Sequence, residues 1–172
     1  MEDRFFDDVI IQKFSLGYAH DSWDQLYNEL KDKFDNEVFE KSGLFSKSKK
    51  GFVDRFRNRI MFPIKNTTGK TVAFGGRALD KNEKAKYINS PETPFFKKGS
   101  NLYNLDKARK LSNKLDDVYL VEGYMDVIGL SKNGIENTVA NLGTALTSKQ
   151  TQILNQFYNP VSYTHLRAHE TS

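Results

Sequence analysis

"YLVEGYMDV", residues 119–127, sets an acid at the end of an apolar run and follows it with a glycine and a helical pattern. The run shows no polar alternation, which predicts a parallel strand covered on both faces. Burying an unpaired carboxylate is expensive, so Glu122 adds nothing to a core. It is either a plain strand end, where an acid favours the positive N-terminus of the next helix, or a group held for chemistry.

Reading outward, residues from 117 onward give strand, helix, strand, helix: "DVYLVE", "GYMDVIGLSKNG", "NTVANLG" and "TSKQTQILNQFY". This βαβ unit with a following helix opens a doubly wound sheet, in which ligands bind beyond the carboxyl ends of the strands. Glu122 lies at that end. Asp126, one turn further on, can share its face, and two acids at one strand-to-helix corner could hold Mg²⁺, which prefers oxygen ligands. "NLGTALT", residues 141–147, supplies Gly143 and a helix cap at Thr147 or Ser148. A tight turn fits it better than a phosphate site, since no full P-loop is present.

Upstream, the pattern is mixed. "FFDDVIIQKF" (5–14) and "DSWDQLYNELKDKF" (21–34) read as short amphipathic helices. In the second, Trp23, Leu26, Leu30 and Phe34 fall at helical spacing behind an Asp21 or Ser22 cap. A third helix over "NEVFEKS" should end near Gly43. "FVDRFRNRIMFPIK" and "KTVAFGGRAL" flank the turn signal "NTTG" and predict a β-hairpin. "KYINSPETPFFKKG" reads as an ordered loop, and "NLDKARKLSNKL" as helix.

If residues 52–65 form one strand, Arg55, Arg57 and Arg59 share a face, with Phe56 and Ile60 opposite. A solvated outer face is the plain reading, yet three cations with no interleaved acid repel one another, and a polyanion relieves that. Arg77 of "FGGR" lies across the hairpin, where Gly75 and Gly76 either form a bulge or admit a close approach. Lys86, Asn89, Lys97 and Lys98 add donors from the next loop. Arginine suits bidentate phosphate contacts and lysine suits point-charge contacts.

Composition is consistent with this. The chain of 172 residues carries 13 Phe and 8 Tyr, enough for a core, and no Cys, which excludes disulfides and Cys-ligated zinc. No apolar run approaches the roughly 20 residues that span a bilayer, and the N-terminus lacks the pattern of a signal peptide, so a cytoplasmic setting is expected. The net charge of +4 is modest, but Lys and Arg crowd into residues 47–110. After Pro160, "VSYTHLRAHETS" has no clear period and holds His165 and His169, two of the 3 His; it reads as a foreign, non-native tail.

Taken in order, "LGYAHDSWDQL", "VDRFRNRIMFPI", "FGGRAL", "KYINSPETPFFKKGSNLYNLDKA", "LVEGYMDVIGL" and "VANLGTALT" resemble bacterial DNA primases of the DnaG type, which make short RNA primers at replication forks. The resemblance implies an α+β basic subdomain (1–112) followed by the first half of a partial α/β Toprim domain, a Rossmann-like fold (113–160), with 161–172 as the tail. It implies template or nucleotide contacts by Arg55, Arg57 and Arg77, a nucleotide-binding ridge completed by Lys86, Asn89 and Lys98, and a basic site residue at Arg4, where Phe5 replaces the family's usual glycine. Glu122 becomes the Toprim glutamate.

The implied cofactor is Mg²⁺ or Mn²⁺, with no zinc in this segment. The implied partners are single-stranded DNA, ribonucleoside triphosphates and a replicative helicase, in a bacterial cytoplasm at the nucleoid. The family's zinc-binding domain, helicase-binding domain and the aspartate motifs after the third Toprim strand have no counterpart here, so an incomplete, inactive catalytic core is expected. The alternatives are a noncatalytic single-strand-binding module, or another Toprim enzyme such as a topoisomerase or nuclease.

Overall fold

The computed structural model describes residues 6–49, 51–143, 145–158 and 165–166. The chain divides into two compact units, Met1–Pro63 with Ala73–Phe95, and Ile64–Val72 with Phe96–Ser172.

In the first unit, α1 (Asp8–Phe14) begins at Asp7, whose carboxylate accepts from the Ile10 N–H at 2.9 Å, and buries Ile10 and Phe14. β1 (Gly17–Ala19) follows. α2 (Gln25–Leu30) is shorter than the periodicity predicts. Its cap is neither Asp21 nor Ser22: the Asp54 carboxylate, distant in sequence, accepts from the Leu26 and Tyr27 N–H groups at 2.8 and 3.0 Å and fixes the helix start there. The face that packs is that of Tyr27, whose ring meets Phe39, Phe45 and Phe52, whereas Trp23 and Phe34 are exposed. α3 (Asn36–Ser42) is capped by Asp35 and ends at Gly43 in the left-handed region, as expected.

β2 (Phe45–Ser48) and β3 (Gly51–Asp54) form an antiparallel pair of their own. The single strand predicted over 52–65 is therefore two strands. β3 stops at Asp54, Asn58 turns the chain with φ 47, and β4 (Arg59–Lys65) starts after it. β4 and β5 (Thr71–Ala78) flank the predicted turn. There the Asn66 side-chain oxygen accepts from the Thr68 and Lys70 N–H groups, each at 3.0 Å, and Gly69 takes φ 85. The expected loop at 87 opens instead as β6 (Tyr87–Asn89), completing an antiparallel sheet in the order β1-β4-β5-β6. β5 and β6 pair in regular register through Gly75 and Gly76, so the glycines form no bulge against β6. A Cβ on Gly76 would lie 2.8 Å from Phe56 Cδ1 and 3.1 Å from Arg59 Cδ, which is why no side chain fits there.

The second unit holds α4 (Leu105–Ala108), β7 (Tyr119–Val121), α5 (Tyr124–Lys132), β8 (Thr138–Ala140), α6 (Ser148–Leu154) and β9 (His165–Leu166). Its sheet is parallel, in the order β8-β7-β9. β7 is central, which accounts for its unbroken apolar run. A sheet of two strands, with everything past 160 outside it, was the expectation; residues 165–166 instead take the third-strand position beside Leu120 and Val121. Pairing there satisfies backbone groups that a free β7 edge would expose. Leu102, Leu105 and Ala108 pack with Val118, Leu120, Val139 and Leu154 into one apolar cluster. The Tyr158 hydroxyl closes it by donating to the Ala108 carbonyl at 2.6 Å. Thr147, rather than Ser148, caps α6, exchanging hydrogen bonds with Gln150 at 3.1 and 3.0 Å.

Candidate nucleic-acid interface

The first unit's basic residues are positioned by the short link between β3 and β4. Arg55, Arg57 and Arg59 do not share a strand face, because Arg55 and Arg57 lie in the 55–58 loop and Arg59 opens β4. Each meets a different environment. Arg55 donates from Nε and Nη2 to the Asn89 carbonyl at 3.3 and 3.1 Å, tying the loop to β6. Arg57 donates to the Asp54 carbonyl and sets its guanidinium carbon 3.9 Å above the ring centre of Trp23. Arg59 is 5% exposed and donates to the Ala85 carbonyl at 2.8 Å and to those of Gly76 and Lys86 at 3.4 Å, with Glu83 at 3.8 Å. Burial lowers the Arg59 pKa, Glu83 opposes that and Arg57 adds to it; a guanidinium stays charged regardless. Arg59 is thus a buried pin between strands.

Register places Arg77 opposite Tyr87 and Gly75 opposite Asn89, so the Arg77 and Asn89 side chains lie on the same face of the β5–β6 pair. Arg77 is half-buried and Lys86 exposed. The loop carrying Arg55 and Arg57 and the strands carrying Arg77 and Asn89, with Lys86 directly before β6, are therefore joined through the Arg55 fork on Asn89. Arg4 lies outside the described residues. A cavity of about 450 Å³, with walls including Leu26, Phe56, Met61 and Phe74, is lined by none of these basic residues.

In the second unit, Lys98 opens a 3₁₀ turn, Lys98–Ser100, whose first carbonyl accepts from the buried Gln150 amide at 3.1 Å. Glu122 is exposed directly after the last residue of β7. The Asp126 carboxylate accepts from the Gly123 N–H at 3.1 Å and caps α5. Among the described residues no three His, Cys, Asp or Glu side chains converge as a metal-binding group. The residues here do not fit a Mg²⁺ or Mn²⁺ site by themselves.

Sequence reasoning missed two residues that shape this interface. Asp54 passed as a strand residue, since its helix-capping role depends on a contact across 28 positions. Trp23 passed as a core residue, since its helical spacing imitates a buried stripe; the acids and serine around it, "DSWD", were the available sign of exposure.

The chain matches the family models for the DNA primase catalytic core, N-terminal domain, over residues 1–109, and for the Toprim domain over residues 116–165. It belongs to the DnaG-type bacterial DNA primases. It is 47% identical to the primase of Lactococcus lactis over 158 residues, covering 91% of this chain and 25% of that one. It is likewise 47% identical to the primase of Clostridium acetobutylicum over 160 residues, covering 92% of this chain and 26% of that one. The chain thus spans about a quarter of the length of these primases. A DNA primase domain from Pseudomonas aeruginosa superposes with a TM-score of 0.85 at 42% identity, over 95% of this chain and 51% of that one. A DnaG primase catalytic domain bound to single-stranded DNA superposes with a TM-score of 0.86 at 36% identity, over 94% and 51%. No helix among the described residues is long and apolar enough to cross a membrane.

Proposed function

We propose that this chain is the template- and nucleotide-holding part of a primase catalytic core, which synthesises short RNA primers on single-stranded DNA from ribonucleoside triphosphates. The observation that carries this reading is the arginine loop tied to β6 by the Arg55 fork, which gathers Arg55, Arg57, Arg77, Lys86 and Asn89 onto neighbouring elements. Arginine forks and lysine ammonium groups suit phosphate oxygens, which position a strand without reading its sequence. Residues 1–112 act as the basic subdomain and 113–160 as the Toprim part. Lys98 extends the nucleotide ridge, and Arg4 adds a further cation.

Divalent Mg²⁺ or Mn²⁺ supplies the phosphoryl-transfer chemistry in the longer protein, with Glu122 as the contribution of this chain. The setting is a bacterial cytoplasm, with the replicative helicase as a partner of the longer protein. A template, ribonucleoside triphosphates and either ion test the reading. The 172-residue chain should bind single-stranded DNA and make no primers, because its described residues do not complete a metal site. A longer chain carrying further carboxylates should make them, and Glu122→Gln should abolish that synthesis. Primer synthesis by this chain alone, or full synthesis by the longer Glu122→Gln variant, would overturn these assignments.

A further inference from the structure

We infer that the cleft between α2 and the β1–β4–β5 strands is a small-molecule site, shaped for an aromatic amine whose ring enters the apolar interior and whose ammonium group meets Glu29. It lies wholly within the first unit and stands independently of the nucleic-acid reading above.

The cleft holds about 450 Å³, within the range of small-molecule pockets. Its apolar walls are Leu26 of α2, Leu44, Phe56, Met61 of β4 and Phe74 of β5. Phe56 is buried, and Leu44, Met61 and Phe74 are half-buried. Aromatic and thioether walls of this kind suit a flat ring.

The space is kept open by sequence. Gly17 of β1 pairs with Met61, so a side chain at 17 would leave the sheet on the same side as that of Met61, which lines the cleft. The backbone does not require glycine there, since Gly17 has no positive φ. Space does not require it either: a Cβ would meet Met61 Cβ at 3.9 Å, an ordinary contact. The register is regular, so no bulge accounts for it. A glycine inside a strand weakens it, and marks a place where a ligand approaches closely.

The rim selects charge. No lysine or arginine among the described residues lines the cleft, and two carboxylates do. Both oxygens of Asp54 are taken by the Leu26 and Tyr27 amides. The exposed Glu29 accepts from the neutral Gln25 amide at 3.2 Å, which leaves its charge unopposed by that partner. An ammonium group at the mouth is attracted there and a carboxylate repelled.

The chain has three methionines, Met1, Met61 and Met125, so ¹³C-methyl methionine spectra give a reporter inside the cleft and two outside it, Met61→Leu assigning the first. The 172-residue protein is titrated with tryptamine and with indole-3-acetate, which carries the same ring and the opposite charge. Tryptamine should shift the Met61 methyl saturably and leave Met125 in place, with indole-3-acetate at least about tenfold weaker. Glu29→Gln should remove most of that preference. Gly17→Val should abolish the Met61 shift, with a thermal midpoint at or above that of the wild type. An unmoved Met61 methyl, equal shifts at Met125, equal affinity for indole-3-acetate, or wild-type tryptamine affinity in a folded Gly17→Val would overturn the site. Should Gly17→Val fail to fold, the charge preference and its loss in Glu29→Gln decide, and a preference unchanged in Glu29→Gln would overturn it.

Discussion

The Arg59 guanidinium is 5% exposed and is the donor to the carbonyls of Ala85, Gly76 and Lys86. Arg59→Met removes that donor from a buried place and should destabilise the first unit by about 2–4 kcal/mol, read from denaturant midpoints. Arg57, two residues earlier, lies on an exposed indole. Arg57→Ala should cost under about 1 kcal/mol of stability and act on DNA binding instead. At Gly76 a methyl group meets Phe56 at 2.8 Å, so Gly76→Ala should cost roughly 1–3 kcal/mol in the same assay. Sequence could mark the three arginines as a group but could not separate them. Their division depends on Asn58 at φ 47, which ends the alternation that would have put them on one face.

At the level of elements, α2 depends on a cap from another strand. Asp54→Ala should cost about 1–2 kcal/mol by leaving the Leu26 and Tyr27 amides without their acceptor. The second unit carries a pH signature. Burial pushes the Tyr158 hydroxyl up to about 12 and raises Tyr103 and Tyr124 from the ordinary tyrosine value. Above about pH 10 the unfolded chain loses phenolic protons before the folded one does, so stability held below that pH should fall as pH rises towards 12. Tyr158→Phe should lose about 1 kcal/mol at neutral pH, with the hydrogen bond to Ala108, yet show a shallower alkaline decline. Denaturant midpoints at about pH 8 and pH 11 check both. The elements with local signals were legible in sequence: the Asn66–Gly69 turn, the end of α3 at Gly43, a cap for α6 at Thr147 or Ser148, and the apolar run of β7. The β2–β3 pair and the partner of Asp54 were not, since cross-chain contacts define them.

For the whole molecule, the order of motifs carried the family, and the two family models cover the same succession. The metal site was less legible: Glu122 stands at the strand end that the sequence gives it, but only packing shows the Asp126 carboxylate engaged as a cap. The arginine loop and the β5–β6 strands are proposed to bind a single strand through its phosphates, and the salt dependence of binding tests this. Anisotropy of a labelled oligo(dT), followed across salt concentrations, should give a log-log slope that becomes shallower by about 0.7 per lost phosphate contact. Arg57→Ala should therefore bind more weakly with a slope reduced by about that amount, at unchanged fold by circular dichroism. Salt-independent binding, or an Arg57→Ala variant with wild-type affinity and slope, would show that these arginines do not hold the strand by its phosphates.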